Sequence, residues 1–417
     1  MKYTITIIGG GPSGMMAAYS AIQTNKNNKI LLIEKNKELG KKLLLTGGGR
    51  CNITNQLPIK DQIKLYENKS FIKHSLHKLN NNKLLEIFEK EKINFKTEDN
   101  GRIFPTTDKS QTIKNTLEKL IQDKIEIKTN TTVTEIKHHQ NHFEIKTKNE
   151  TIESKKVILT TGGITYPKTG STGDGYKLSK NLKHHLSPIK PGLVSLIIED
   201  SKLNSISGTN LDNIKIHYKV DKKVKYWETG SLLITHKGLS GPAIINLSNK
   251  ILKHQKYDLL NNDNDFTPVN INLDLIPKLS QEELRNKINN DTIEYGKTKV
   301  KNYLKHYMAN RFIEYFLNKT SIDSNTPMNQ LKKKDKNKLI EHLKRLEFTV
   351  NDIVLDDAKI TIGGVSCEDI NSKTLESKIV DGLFFAGEIL EFAGPTGGFN
   401  LQLAFSTGYL AGYSASL

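Results

Sequence analysis

Hydrophobic and polar positions in this chain alternate between two periods, and both appear at its start. Tyr3–Ile8 is a short, mostly apolar run rich in β-branched residues, which predicts a buried parallel strand, and Pro12–Thr24 carries Ala17, Ala18 and Ala21 and predicts a helix. Residues 29–33 predict a second strand. Strand and helix patterns go on alternating to about residue 185, with an antiparallel meander expected at 125–129, 132–137, 143–148 and 151–153. After the Pro- and Gly-containing stretch 187–192 the pattern turns strand-like at 193–198, 214–220, 224–227, 232–235 and 269–273. Helical spacing of Leu, Ile and Phe among lysines then fills 277–346, with breaks near Gly296 and Pro327, before strands and glycine turns return from Phe348. The expected organisation is a nucleotide-binding domain at 1–187, a β-rich insert at 188–276, a helical insert at 277–346, and completion of the first domain by 347–417. A separate fold of the last stretch alone would be small for a core of its own.

Between the first strand and the first helix lies Gly9-Gly10-Gly11-Pro12-Ser13-Gly14, a GxGxxG turn. Gly9 suits the tight turn, Gly11 lets the backbone approach a diphosphate, and Gly14 lets helix and strand pack closely. The helix N-terminus adds free N–H groups and the positive end of a dipole. The second strand ends in Glu34, 20 residues beyond Gly14 (34 minus 14), where a ribose-binding carboxylate is expected. Strand, turn, helix and acid in this order predict a dinucleotide site.

Composition narrows the class. The chain has 417 residues, 36% of them hydrophobic, enough for a sizeable core and more than one domain. No apolar stretch approaches the ~20 residues of a membrane span. Strand one begins almost at once after Met1-Lys2, without a signal-peptide pattern, so a cytoplasmic location is expected. Cys51 and Cys367 form neither a CxxC pair nor a zinc-ligand series, which argues against a disulfide scaffold, a disulfide reductase and a structural metal. The net charge of +17 raises a nucleic-acid partner, but the basic residues are spread rather than clustered and are read first as a solvated surface.

Further glycine clusters carry chemistry. In the loop Thr46-Gly47-Gly48-Gly49-Arg50-Cys51-Asn52, backbone N–H groups can lie against a cofactor, while Lys42 and Arg50 can neutralise phosphate. An apolar strand runs into Thr161-Gly162-Gly163, and strand ends of this kind line the ligand crevice of open α/β sheets. A late apolar strand ends in Gly387-Glu388, placing a carboxylate where it can accept from sugar or ribityl hydroxyls. Gly397-Gly398-Phe399-Asn400-Leu401-Gln402 then feeds the last helix, whose N-terminus would stabilise the negative charge of a reduced flavin. FAD is thereby favoured over NAD.

These residues bring a resemblance. The chain resembles the YhiN/BaiN-type flavoproteins, the aminoacetone oxidase family of FAD-binding enzymes. It does so through Gly47-Gly48-Gly49-Arg50-Cys51-Asn52-Ile53-Thr54-Asn55, Gly101-Arg102-Ile103-Phe104-Pro105, Gly170-Ser171-Thr172-Gly173-Asp174-Gly175-Tyr176, Gly238-Leu239-Ser240-Gly241-Pro242, Gly363-Gly364-Val365 and the segment from Gly387 to Gln402. Thr160 and Phe399 depart from the alanine and tyrosine common there. The resemblance implies an α/β fold with a glutathione-reductase-like Rossmann FAD-binding domain, a barrel-like β-rich insert and a small helical insert. The expected cofactor contacts are Gly9, Gly11, Pro12, Ser13 and Gly14; Glu34, Lys35 and Lys42; Thr46, Gly47, Gly48, Arg50, Cys51 and Asn52; Val133; Thr161, Gly162 and Gly163; Gly387 and Glu388; and Gly398, Phe399, Asn400 and Gln402.

A flavin performs its own hydride chemistry, so the protein must position substrate, tune the ring and control water. Cys51, Asn52 and His236 are the candidate catalytic helpers, and no metal is expected. The expected activity is FAD-dependent oxidoreduction of a small molecule, with hydride passing through a noncovalent flavin from NADH, NADPH or an organic donor to an organic acceptor or oxygen. No second complete GxGxxG follows a clear strand, so a nicotinamide donor is expected to dock transiently at the flavin face. Reduction of a conjugated C=C bond and oxidation of an amine both fit the resemblance. The alternative is a flavoprotein that binds or modifies tRNA or other RNA through its basic surface and the lysine-rich stretch 331–345. The oligomeric state stays open.

Overall fold

The computed structural model describes residues 2–220 and 225–417, which form two compact units. The first runs to Lys190 and resumes at Lys359–Leu417; the second is Pro191–Ala358.

In the first unit, Tyr3–Ile8 lies between Ile30–Ile33 and Thr151–Leu159, parallel to both, with Ile8 opposite Ile33 and Leu159. Leu383–Phe385 joins the same sheet parallel to Thr151–Leu159, so the chain's end completes the sheet its beginning started. Ile5, Ile7, Leu31, Leu32, Ile158 and Phe385 are fully buried, as strands covered on both faces require. The expected meander is corrected in two places. Glu126–Lys128 pairs in parallel with Ile30–Ile33 and is an outer strand of the main sheet. Residues 151–159 form one strand whose first half pairs antiparallel with His142–Thr147 and whose second half joins the parallel sheet. One strand thus serves both the meander and the nucleotide-binding sheet.

Two helices meet beneath the site. A Cβ on Gly408 would stand 2.2 Å from the Ser13 carbonyl oxygen, and one on Gly412 2.1 Å from that of Ala17. The final helix, Phe399–Ala415, therefore packs backbone to backbone against Pro12–Thr24, whose alanines leave room. This close crossing ties the last element of the chain to the first glycine turn.

The second unit is built on an antiparallel sheet in the order Leu346–Val350, Val269–Asp274, Asn210–Lys219, Lys225–Thr235, Gly238–Ser240, Leu196–Ile197, Asp352–Ile353. Its two edge strands are consecutive in the chain, separated by Asn351, whose N–H donates to Ile197 O at 2.9 Å. The sheet therefore curls until its edges are one residue apart, as a barrel does. Val224, expected to begin a strand, lies outside the described residues. The strands expected at 224–227 and 232–235 belong to one strand, Lys225–Thr235, because pairing with Asn210–Lys219 continues through Gly230, which stands opposite Ile214. The helices of 277–346 do not form a body of their own: Leu284, Phe312, Phe316, Leu339 and Leu343 share one core with Ile216, Leu232, Ile271 and Leu273. The expected boundaries at 276/277 and 346/347 thus fall inside this unit, and the chain returns to the first unit at Lys359. No helix among the described residues is long and apolar enough to cross a membrane.

Candidate functional site

A cavity of about 210 Å³ opens in the first unit at the carboxyl ends of its parallel strands, lined by Ile8, Ile33 and Thr160 where those strands finish. This is the edge at which open α/β sheets bind ligands. Its floor is the glycine turn. Gly9 N–H donates to Ile33 O at 2.8 Å, and a Cβ on Gly14 would lie 1.9 Å from Gly9 O, so that position admits glycine alone. Gly11 differs: a Cβ there would meet no protein atom within 4 Å and would project into open space. Pro12 opens the helix, and Ser13 faces the cavity with its hydroxyl buried and without a hydrogen-bond partner among the described residues. Thr161 Oγ1, on the same wall, is likewise buried and unpartnered. Gly162 lines the wall, whereas Gly163 packs behind it against Thr361.

Glu34, 8% exposed, accepts from Gly10 N–H at 2.8 Å through Oε2 and from Asn36 N–H and Nδ2 at 2.8 and 2.7 Å through Oε1. The carboxylate is held in place with lone pairs to spare. Lys35 pairs with Asp174 at 2.6 Å, and Asn36 donates to Thr169 O at 2.9 Å. These bonds bring the 169–174 loop into the wall, with Gly170, Ser171 and Asp174 among its lining residues. Val133 completes this side.

Opposite, Lys42 donates to both oxygens of Glu388, at 2.7 and 3.0 Å, and to Thr165 Oγ1 at 2.9 Å. Thr361 N–H adds a 2.7 Å bond to Glu388 Oε1. Lys42 was expected to neutralise phosphate; its charge is met by Glu388. Gly387, beside it, donates to Thr407 Oγ1 at 2.9 Å. The last helix presents its positive N-terminal end here, with Asn400, Leu401, Leu403 and Ala404 lining the cavity. Asn400 holds the preceding loop through Gly394 N–H at 2.8 Å and Gly394 O at 2.9 Å.

Several expected contacts turn elsewhere. Gln402 is fully buried, accepts from Thr54 Oγ1 at 2.5 Å and donates to Leu79 O at 3.0 Å, bracing the helix rather than the cavity. Gly398 abuts the Thr54 backbone, and the Phe399 carbonyl accepts from Tyr66 OH at 2.8 Å. Thr46 lines the cavity, while Gly47, Gly48, Arg50, Cys51 and Asn52 are not among its lining residues. Arg50 pairs with Glu98 at 2.7 Å and lies 4.1 Å from the Phe104 ring centre, so its charge is spent locally. Cys51 is fully buried, and burial pushes its thiol up to about 12, which makes it a poor nucleophile. Asn52 keeps one trace of a ligand-facing role, a buried Oδ1 without a partner among the described residues. His236 sits exposed in a turn of the second unit. Sequence reasoning missed Asn36, Ser171, Lys359, Ile360 and Thr361 on the wall, of which only Ser171 stood in a quoted glycine motif.

The residues fit FAD. The open face of Gly11, the anchored Glu34 and two helix N-termini at one cavity are what a dinucleotide with an electron-accepting ring requires. The glycine turn would hold the diphosphate and Glu34 the ribose.

Comparison with known proteins agrees. The HI0933-like protein Rossmann domain matches residues 3–414. A 3-dehydro-bile acid delta(4,6)-reductase of Clostridium scindens is 30% identical over 414 residues, spanning 99% of this chain and 98% of its own. Ribosomal RNA dihydrouridine synthases of Haemophilus influenzae and Escherichia coli are 27% and 26% identical, each spanning 98% of this chain and 98% and 96% of their own. Among solved structures, a flavocytochrome c3 fumarate reductase aligns with a TM-score of 0.50 at 15% identity, over 99% of this chain and 78% of its own, a likeness of fold. The chain belongs to the HI0933-like Rossmann family and is an FAD-dependent oxidoreductase.

Proposed function

We propose that the protein reduces a carbon–carbon double bond conjugated to a carbonyl, with NADH or NADPH as donor. The observation that carries this reading is the match, across nearly the whole chain, to a delta(4,6)-reductase of a 3-dehydro bile acid. The dihydrouridine synthases point the same way, since both names describe two hydrogens added across an unsaturated bond of a carbonyl compound. FAD supplies the hydride relay when bound. The chain's own residues do the rest: the glycine turn and Glu34 hold the dinucleotide, the last helix places its positive end at the cavity, and Lys42 with Glu388 fixes the opposite wall. No thiol is needed in this chemistry, which agrees with the burial of Cys51.

A second reading keeps the reaction and changes the substrate to a uracil base in RNA. The net charge of +17 and the two dihydrouridine synthases favour it. One product assay covers both. Holoenzyme supplied with NADH or NADPH should add the mass of two hydrogens to a 3-keto-4-ene steroid or to uridine in ribosomal RNA. Oxidation of an amine with neither product formed would overturn the proposal.

A further inference from the structure

The sheet of the second unit has an outer face that its core does not use. Along Asn210–Lys219 the side chains of Ile214, Ile216 and Tyr218 are buried, so Lys215, His217 and Lys219 stand on the opposite side. Register places Lys215 opposite Thr229, His217 opposite Trp227 and Lys219 opposite Lys225. These residues therefore share one surface. Trp227 is the only tryptophan of the chain and is 55% exposed. Lys215 Nζ lies 5.5 Å from its ring centre, and neither Lys215, Lys219 nor Lys225 has an ion-pair partner among the described residues. On the neighbouring strand Asn272 lies beside His217, held by Arg345 Nε at 3.0 Å. Of the carboxylates on this face, Asp274 is neutralised by Lys344 at 2.6 Å, and Glu347 lies on the edge strand opposite Asn272. His217 carries a buried Nδ1 with no partner among the described residues, and its imidazole is pushed below the usual histidine range first by burial and then by Lys225 and Lys215. Among the described residues the surface is thus positive in net charge, with one flat ring laid open at its middle.

An exposed indole on a β-strand exposes apolar area at a cost in water, and lysines without counter-charges among the described residues repel one another. A strand of bases satisfies both at once, stacking on the ring while its phosphates neutralise the lysines. We infer that this sheet face is a single-stranded RNA platform, with Trp227 as the stacking residue and Lys215, Lys219 and Lys225 as phosphate contacts. The inference rests on the second reading above, in which RNA is the substrate. It assigns recognition to the sheet face, whereas the lysine-rich stretch 331–345 adds charge without an aromatic.

The single tryptophan makes the test direct. Holoenzyme titrated with a uridine-rich single-stranded RNA should show saturable quenching of tryptophan fluorescence, and a duplex of equal length should bind more weakly with little quenching. Trp227→Ala should weaken binding about tenfold and Trp227→Phe should restore most of it, since a base stacks on either ring. Lys215→Ala with Lys225→Ala should lower the slope of log affinity against log salt by about 1.4. Normal RNA affinity in all these variants would overturn the platform while leaving RNA as substrate. Wild-type protein that reduces uridine in RNA without quenching would do the same. Wild-type protein that neither binds nor reduces RNA, yet reduces the steroid, would overturn the RNA reading and the platform together. Equal quenching by heparin would also overturn it, because a bare polyanion has no base to stack.

Discussion

Lys42 and Glu388 stand 346 positions apart in the chain and meet at 2.7 Å on the wall of the cavity. The pair is about three-quarters buried, its side chains 21% and 24% exposed, and Thr165 and Thr361 complete the shell of the carboxylate. Lys42→Met leaves that carboxylate facing the cavity without its cation and should cost about 1–3 kcal/mol. The double variant with Glu388→Gln should recover part of the loss. Urea unfolding of the four proteins checks this, and simple additivity would show that the two residues are not coupled.

Gly11 and Gly14 separate binding from folding. Gly11→Val adds atoms only to open space, so the apoprotein should melt as the wild type does while FAD retention falls at least tenfold. Gly14→Ala forces a Cβ against Gly9 O and should destabilise the apoprotein by about 1–3 kcal/mol or more. Thermal melts of the apoproteins and flavin absorbance after purification distinguish the two.

Burial of Cys51 sets a pH dependence. Its pKa in the fold, about 12, lies above the ordinary thiol value, so its contribution to stability is fully present below about pH 8.5. From there upward the unfolded chain ionises the thiol and the folded chain does not, and that contribution is lost progressively toward pH 12. Cys51→Ala should therefore show a shallower fall in unfolding free energy above pH 9 than the wild type. It should also keep turnover, and native protein should resist iodoacetamide at Cys51.

Gln402 acts on the helix, not the cofactor. Gln402→Leu removes the acceptor of Thr54 Oγ1 and the donor to Leu79 O, and should cost about 2–3 kcal/mol by chemical unfolding. The flavin spectrum of the folded fraction should be unchanged; an altered spectrum at full stability would place the side chain at the ring instead.

What could be read before folding was local. Tyr3–Ile8, Pro12–Thr24 and Glu34 announce themselves because strand period, glycine turn and acid spacing all lie within one short stretch. Glu126–Lys128 looked like part of the meander because a strand's partner is not written in its own residues; it found Ile30–Ile33 across the sheet. Lys42, Arg50 and Gln402 carry donors and acceptors that suit a cofactor, and only the crossing of distant segments decided that Glu388, Glu98 and Thr54 would take them. Thr361 was invisible for the same reason: its role depends on a backbone N–H brought to Glu388. The helices after 277 showed their own period but gave no sign that their apolar faces would fill the core of the curled sheet.

In the proposed function, reducing equivalents pass through a flavin held at this cavity to a conjugated carbonyl compound. Anaerobic stopped-flow spectroscopy tests it directly, by bleaching the bound flavin with NADH or NADPH and mixing the reduced protein with a 3-keto-4-ene steroid or uridine-containing RNA. The oxidised flavin spectrum should return at a rate that rises with acceptor concentration, and the signal should be lost in Gly11→Val for want of flavin. A protein that takes up no FAD, or whose reduced flavin is reoxidised by oxygen but by neither conjugated acceptor, would contradict it.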